Sequence, residues 1–332
     1  MSWELHGHTA QSRHLLDDES QIGHARRAAQ ALAEAHKLDA TITGRVGIAA
    51  TELATNLWRH ARQGELLLQP ILGEGAVLIE LLAIDRGPGM ASVERCLSDG
   101  YSTGGTSGTG LGAVRRLAQV FDIHSELGEG TAVLARIGTG APASPNFGAV
   151  SVAMSGELDC GDAWRLATAE EQLAVLVADG LGHGSAAAAA AQAAAAAFAS
   201  DPFGAPSDTL RRANRTMSGT RGGAVACACL RGDGTLQYAG VGNIAGALLS
   251  GERRQGLVSH NGILGIQVRK LQQFDYRAEA HAVLVMHTDG ISARWERPAP
   301  ALLGRHPAII AAVLYRDHAR SHDDATVVVV GT

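Results

Sequence analysis

Acidic residues stand at the ends of several apolar segments in the C-terminal half of the chain. Asp179 closes an apolar run and is followed by Gly180, and Asp162, Asp289 and Asp323 lie in similar places beside a glycine or a Thr/Ala turn. Carboxylates that converge from several strand ends repel one another, and hard cations relieve that cost. Oxygen ligands favour Mg²⁺ or Mn²⁺, and two such ions can activate a water and hold a phosphate for in-line attack. The alternative is that these are four turn acids scattered by chance.

Three polar residues in the N-terminal half recur at helical spacing. Glu52, Asn56 and His60 stand at positions i, i+4 and i+8, which places their side chains in one row along a helix. Such a row is commonly a solvent-exposed surface, and His60 is more typical of helix packing than of a site. The segments that follow favour a functional row for the other two residues.

Glycine-rich turns follow that row in the sequence. Asp85 ends the apolar run 76–84 and is followed by Gly87 and Gly89. The segment 100–112 is too rich in Gly, Ser and Thr to pack a core, and it leads into a predicted helix at 113–121. Glycines before a helix N-terminus allow backbone N–H groups to surround phosphate oxygens.

The elements that must position these residues follow from the apolar pattern. Residues 20–35 and 48–61 are predicted to be helices, and the alanine-rich run 185–197 is predicted to be a third. Apolar runs predict strands at 76–84, 149–154, 173–178, 223–230, 236–239, 281–287 and 327–330. The Pro-, Gly- and Ser-rich segment 138–148 predicts a linker, so the expected domains are 1–137 and 149–332.

Composition limits the function classes. The 332 residues suffice for two domains, and 46% hydrophobic with 18% charged residues is a globular balance. The net charge of −5 gives no electrostatic reason to expect nucleic acid as a partner. No apolar run predicts a membrane span or a secretory signal, and the four cysteines show no zinc-type pairing. We therefore expect a cytoplasmic protein without membrane or nucleic-acid partners.

The N-terminal motifs, in this order, resemble the GHKL ATPases, and specifically the RsbT-like serine kinases of the anti-sigma-factor type. The resemblance covers about residues 20–137. It implies that Asp85 accepts the adenine amino group of ATP, that Gly87 and Gly89 admit the base, and that Thr131 lies near it.

The same resemblance implies the contacts to the ATP phosphates. Asn56 holds Mg²⁺ against the triphosphate, and Glu52 polarises the attacking hydroxyl. Gly108, Gly110 and Gly112 wrap the phosphates. Phosphoryl transfer is consistent with these residue types because it depends on positioning and charge neutralisation.

The C-terminal motifs Gly-Asp, Ala-Asp-Gly-Leu-Gly-His-Gly, Thr-Asp-Gly and Asp-Asp-Ala-Thr resemble the SpoIIE- and RsbX-like branch of the PPM-type Ser/Thr phosphatases. The resemblance covers about residues 149–331. It implies the metal ligands Asp162, Asp179, Gly180 (through its carbonyl), Asp289 and Asp323, with Asp179 bridging two ions and Asp324 the less favoured of its pair. The implied fold class is α+β: a GHKL (Bergerat) α/β sandwich followed by a PPM-type αββα sandwich.

One departure concerns the grip on the substrate phosphate. Larger family members carry an arginine just before the first aspartate, whereas here Arg165 follows Asp162. We therefore expect weak small-substrate binding and greater reliance on the metals. His183 is either a proton donor or a residue that merely lines the glycine turn.

Two functions of different class are expected from these resemblances. In the first, a kinase half and a phosphatase half regulate a sigma-factor or stress-signalling pathway through STAS-type proteins, a sigma factor or stressosome proteins. In the second, the N-terminal half is a nucleotide-dependent partner-binding module with little turnover. A histidine-directed sensor kinase is disfavoured because no dimerising helical hairpin with an acceptor histidine precedes the domain.

Overall fold

The computed structural model describes residues 4–7, 10–61, 63–73, 75–97, 110–140 and 147–331. Its helices are α1 (Ser20–Ala35), α2 (Ala40–His60), α3 (Val93–Leu97), α4 (Gly110–Leu117), α5 (Ser185–Ala199), α6 (Pro206–Thr216), α7 (Pro300–Leu303) and α8 (Pro307–His318). Its strands are β1 (Glu4–His6), β2 (Ser12–Leu15), β3 (Glu65–Gly73), β4 (Ala76–Asp85), β5 (Val120–Glu126), β6 (Gly130–Thr139), β7 (Phe147–Val152), β8 (Asp162–Ala169), β9 (Gln172–Gly180), β10 (Gly223–Arg231), β11 (Thr235–Val241), β12 (Ala245–Ser250), β13 (Arg253–Leu257), β14 (Gly262–Ile263), β15 (Gln267–Val268), β16 (Phe274–Arg277), β17 (Val283–His287) and β18 (Ala325–Gly331).

The chain divides into two compact units. The N-terminal unit comprises the described residues of Gln11–Ser144 and Pro300–Arg316, and the C-terminal unit comprises those of Met1–Ala10, Pro145–Ala299 and Asp317–Thr332. This division differs in two segments from the expected domains 1–137 and 149–332. Strand β1 joins the C-terminal unit by pairing antiparallel with β8, and residues 300–316 join the N-terminal unit.

The N-terminal unit is built on an antiparallel sheet in the order β2-β3-β4-β6-β5. Alternate residues of its strands, such as Leu66 and Leu68, face the apolar sides of α1 and α2, where Ala29 and Ala50 are fully buried. Asp39 caps α2 by accepting a hydrogen bond from the backbone N–H of Ile42 at 2.9 Å. The two helices and this sheet face form one continuous apolar core.

The opposite face of the same sheet is also buried, and Leu67, Leu82 and Leu134 on it are fully buried. Tyr315 donates a hydrogen bond to Glu65 Oε2 at 3.2 Å, and Glu65 lies on this face because it is two residues from Leu67. Every residue of α8 from Pro307 to Arg316 is buried. A helix that is apolar on all sides requires burial on all sides, which explains why this segment leaves the sequence-defined domain.

The packing of α8 can be tested by the pH dependence of stability, because His306 lies just before its N-terminus. The ring of His306 accepts a hydrogen bond from the backbone N–H of Ala308 at 3.1 Å, and the backbone N–H of His306 donates to Asp122 Oδ2 at 2.7 Å. Burial, and then the charge of Arg136, lowers the pKa of His306 to about 3. The unfolded chain takes up this proton below about pH 6.5, whereas the folded chain does not.

The stabilisation from a neutral His306 is therefore complete above about pH 6.5 and is lost as the pH falls towards 3. Between pH 7.5 and 5.5 we expect the wild type to lose about 1 kcal/mol more unfolding free energy than His306→Asn, which keeps a capping acceptor. The measurement is hydrogen exchange of β5 and β6, corrected for the intrinsic pH dependence of exchange. Equal losses in both proteins would contradict the assignment.

The C-terminal unit contains two large antiparallel sheets. One has the strand order β1-β8-β9-β10-β11-β16 and the other β13-β12-β17-β18-β7. Helices α5 and α6 pack on the six-stranded sheet, where Ala190, Ala194 and Phe198 are fully buried. The rings of Phe147 on β7 and Trp164 on β8 lie 6.1 Å apart and join the two sheets. Helices and antiparallel sheets in both units confirm the α+β class.

The helix predicted at 113–121 ends at Leu117, and strand β5 begins at Val120, because Val120, Phe121 and Ile123 favour a strand.

None of the helices in the described ranges is both long enough and apolar enough to cross a membrane.

Candidate functional site

Two of the candidate metal ligands face each other on neighbouring strands. Asp162 is the first residue of β8, and Asp179 lies near the end of β9, where the antiparallel register pairs it with Asp162. The apolar residues of β9 are buried on both faces of the strand and favour this register, because a shift by one residue would move each side chain to the opposite packed face. The backbone N–H of Gly180 donates to Gly161 O at 2.9 Å and closes the strand pair.

The other acids are placed at the same edge by the second sheet. Asp289 follows β17, and Asp323 precedes β18, which pairs antiparallel with β17. In an antiparallel pair the end of one strand meets the start of the next, so both acids lie at one end of the pair. The hydroxyl of Thr288 donates to Asp162 Oδ2 at 2.8 Å and joins the second sheet to the first.

Burial and mutual repulsion raise the pKa of these carboxyl groups. Burial is the larger cause for Asp179, followed by the charges of Asp162 and Asp289. Burial likewise raises the pKa of Asp162, against hydrogen bonds from the Thr288 and Thr326 hydroxyls. The pKa of Asp323 is raised by burial and then by Asp289. Ionisation of all these carboxyl groups together is therefore unfavourable unless positive charge is placed among them.

The acidic side chains of this cluster are not all arranged as metal ligands. The side-chain amide of Asn243 donates to Asp289 Oδ2 at 2.6 Å. Across the described ranges, no three His, Cys, Asp or Glu side chains are arranged as a ready-made metal site. Metal binding by Asp162, Asp179, Gly180, Asp289 and Asp323 therefore stays a prediction, although their oxygen donors suit Mg²⁺ or Mn²⁺.

Asp323 and Asp324 have different surroundings. Asp324 is buried, and its two carboxylate oxygens accept hydrogen bonds from the backbone N–H groups of Met154 at 2.8 Å and Gly161 at 2.9 Å. Asp323 is half-buried, and its Oδ1 accepts from the backbone N–H of Asp324 at 3.0 Å. Both carboxylate oxygens of Asp324 are used in hydrogen bonds to the backbone, and Asp323 is therefore the metal-ligand candidate of the pair.

Matched substitutions separate these two roles. Asp324→Asn is expected to lower the free energy of unfolding by about 1–3 kcal/mol, because one buried N–H group loses its acceptor. Asp323→Asn is expected to change it by less than about 0.5 kcal/mol and to weaken Mn²⁺ binding. Urea denaturation in EDTA and Mn²⁺ titration measure the two effects. Equal destabilisation by both variants would show that Asp323 is structural as well.

The glycine turn after Asp179 begins helix α5 and carries His183. A Cβ atom on Gly180 would lie 2.0 Å from Ala187 O, so the helix packs directly on the turn. His183 Nδ1 lies 2.7 Å from Glu157 Oε1, and the His183 side chain is 56% exposed. The imidazole is therefore open to solvent, and Glu157 orients it. No pattern in the sequence indicates Glu157, because its pairing with His183 joins two separate loops.

The polar row of α2 lies beside the start of α4. A Cβ atom on Gly110 would be 2.8 Å from Glu52 Oε2 and 3.8 Å from Asn56 Nδ2. The first residue of α4 therefore lies close to both candidate groups. A phosphate bound by the backbone N–H groups at this helix N-terminus would lie near the same two side chains. Gly112 lies within α4 and is buried. The predicted phosphate-binding residue Gly108 lies outside the described residues.

The candidate adenine site is formed where β4 ends. Asp85 Oδ1 accepts a hydrogen bond from the backbone N–H of Gly87 at 2.6 Å, and Asp85 pairs in register with Thr131. Burial raises the pKa of Asp85, and the backbone N–H groups of Gly87 and Thr131 oppose that rise. A Cβ atom on Gly89 would lie 2.0 Å from Glu126 O, and its φ of 69° is left-handed, so a glycine is required.

Known protein families match the N-terminal and the C-terminal parts of the chain separately. The sequence matches the histidine kinase-like ATPase domain family over residues 15–137 and the stage II sporulation protein E (SpoIIE) family over residues 169–332. The serine/threonine-protein kinase RsbT of Bacillus subtilis (strain 168) is 35% identical over 91 residues, which are 27% of this chain and 68% of RsbT.

Two solved structures are each similar to just over half of this chain. A chain from work on the bacterial stressosome as a modular system for secondary messenger signalling is 29% identical, with a TM-score of 0.52, over 56% of this chain and 98% of that chain. RsbX in complex with magnesium is 21% identical, with a TM-score of 0.47, over 55% of this chain and 94% of RsbX. The matches to the RsbT kinase and to the SpoIIE family place the protein among enzymes. The chain belongs to the RsbT family of histidine kinase-like ATPases and joins to that domain a SpoIIE-type PP2C phosphatase domain.

Proposed function

We propose that the protein is a bifunctional regulator of a sigma-factor or stress-signalling pathway. Its C-terminal half removes phosphate from phosphoserine or phosphothreonine in a metal-dependent reaction, and its N-terminal half is an ATP-binding serine kinase. The substrates are STAS-type proteins, with a sigma factor or stressosome proteins as further partners, in the cytoplasm. The observation that carries the phosphatase proposal is the register pairing of Asp162 with Asp179 beside Asp289 and Asp323.

The residues at this edge fit a dinuclear Mg²⁺ or Mn²⁺ site by donor chemistry. Asp179 would bridge two ions, with Gly180 O, Asp162, Asp289 and Asp323 completing the ligand set. The ions would supply a water of lowered pKa and positive charge for the phosphate. The raised pKa values of the acids support this assignment, because bound cations would offset the burial and the mutual repulsion that raise them.

His183 provides the proton for the leaving group. Glu157 holds Nδ1 of the imidazole at 2.7 Å, which leaves Nε2 to carry a proton towards solvent and substrate. When the phosphate leaves a serine or threonine residue, His183 Nε2 protonates the departing oxygen. Glu157 fixes the orientation of the ring.

In the N-terminal half the roles follow from the RsbT relationship. Asn56 would hold Mg²⁺, and Glu52 would accept the proton of the attacking serine hydroxyl. Asp85, with Gly87, Gly89 and Thr131 around it, would bind adenine, and the loop through Gly108, Gly110 and Gly112 would hold the phosphates. The closeness of Gly110 to Glu52 supports this arrangement.

A metal-depletion experiment tests the phosphatase proposal. Protein treated with EDTA and then freed of it should release no phosphate from a phosphoserine STAS protein, and Mn²⁺ or Mg²⁺ should restore release. The expected loss is about 10³-fold, because metal activation of water contributes several kcal/mol. Unchanged release after complete metal removal would refute the proposal.

A further inference from the structure

Arg165, the arginine nearest to Asp162 in the sequence, forms hydrogen bonds with other groups. Its guanidinium donates to Trp164 O at 2.8 Å through Nη1 and to Gln192 Oε1 at 2.9 Å through Nη2. The side chain is buried, and burial lowers its pKa. Arg165 therefore cannot turn towards a substrate phosphate without breaking both hydrogen bonds.

A second arginine lies directly against the glycine turn that follows Asp179. Arg221 Nη1 is 3.1 Å from the point that a Cβ atom on Gly182 would occupy. Arg221 is exposed, and none of the described residues forms an ion pair with it. The same turn carries His183, whose Nδ1 lies 2.7 Å from Glu157 Oε1. Arg221 thus presents an exposed guanidinium beside the turn that follows Asp179.

The backbone around Arg221 is fixed to the same turn. Gly222 O accepts a hydrogen bond from the backbone N–H of Leu181 at 2.9 Å, and Gly223 pairs in register with Gly180. The Thr220 hydroxyl accepts from the backbone N–H of Gly222 at 3.0 Å. A side chain that leaves from an anchored backbone loses less conformational freedom when it binds a ligand.

Guanidinium chemistry indicates the ligand. Arginine binds phosphate oxygens through two parallel N–H donors, and such charge-assisted bonds are stronger than neutral ones. The candidate site is otherwise lined by acids, which repel a phosphate dianion wherever metal charge does not offset them. A cation fixed beside the turn would hold the phosphate in place.

We propose that Arg221 binds the phosphate group of the phosphoserine or phosphothreonine substrate, in place of the arginine missing before Asp162. The proposal rests on the phosphatase function proposed above. Arg221 is a substrate-binding residue here, and the proton transfer remains with His183.

The test compares Arg221→Gln and Arg221→Lys with the wild type on p-nitrophenyl phosphate and a phosphoserine peptide, in saturating Mn²⁺. In Arg221→Gln, KM and the inhibition constant for inorganic phosphate should rise about 10-fold, while kcat changes less than about 3-fold. Arg221→Lys should fall between, because it keeps the charge without the two parallel donors. Calorimetric titration with inorganic phosphate should show the same loss of affinity without turnover.

Arg231→Gln is the matched control. Arg231 is an exposed arginine at the other end of β10 from Gly223, and its loss should change none of these constants. Unchanged KM and phosphate affinity in Arg221→Gln, with an active wild type, would overturn the assignment and leave the phosphatase proposal intact. A rise in the Mn²⁺ concentration needed for activity, with KM unchanged, would also overturn it. Arg221 would then stabilise the glycine turn that follows Asp179 and would not bind phosphate. A wild type that releases no phosphate with Mn²⁺ would overturn both proposals.

Discussion

Asp179→Asn is expected to lower phosphate release from a phosphoserine STAS protein by about 10³-fold. Asp179 is the residue that the proposed site shares between two cations, and loss of its charge removes an interaction worth several kcal/mol at the reacting centre. Asparagine has nearly the same shape, so the register with Asp162 and the packing of α5 should survive. The measurement is Mn²⁺-dependent phosphate release, with circular dichroism to verify the fold.

ATP-dependent phosphate transfer should be unchanged in Asp179→Asn, because its proposed residues lie in the N-terminal unit. Asp233→Asn is a suitable control, since Asp233 is exposed in the turn between β10 and β11 and its Oδ1 accepts from the backbone N–H of Thr235 at 2.8 Å. The control should keep full phosphate release. Full release in Asp179→Asn would show that the carboxylate cluster is not the metal centre.

Glu52→Gln is expected to give the converse result. Removal of a general base lowers transfer by about 10²- to 10⁴-fold, whereas ATP binding depends on other groups and should remain. Gln keeps the length of the side chain, so the close approach of Gly110 is preserved. Radiolabelled phosphate transfer from ATP to a STAS protein measures the effect, and phosphate release by the C-terminal half should be unchanged.

The control and the alternatives follow from the same assay. Glu34→Gln changes an exposed glutamate on α1 and should leave transfer intact. If Glu52→Gln transfers phosphate at the wild-type rate, Glu52 is not the base. If the wild type transfers none but binds a partner only with ATP, the N-terminal half is the nucleotide-dependent binding module, and Glu52 then has no catalytic task.

Local chemistry was readable in the sequence. An apolar run that ends in Asp-Gly, as at Asp179 and Asp289, shows where a buried strand delivers a carboxylate to a turn, because burial and turn formation are both local properties. The spacing of Glu52 and Asn56 likewise follows from the helical period. In the structure, Asp179 is the last residue but one of β9, and Asp289 lies two residues after β17.

Pairing between distant segments was not readable in the same way. The choice between Asp323 and Asp324 depends on which carboxylate meets the N–H groups of Met154 and Gly161, more than 160 residues earlier. The Glu157–His183 pair and the approach of Arg221 to Gly182 also join separate loops. No periodicity records such contacts, since each depends on the register of other strands.

The sequence by itself determined which residue types end each strand, the two-part organisation and the α+β class. Only the tertiary structure decided where residues 4–6 and 300–316 belong and which acids become neighbours. The reason is physical. An all-round apolar helix such as α8 must be buried, but its composition does not specify the surface that buries it, and that choice depends on the shape of the assembled core.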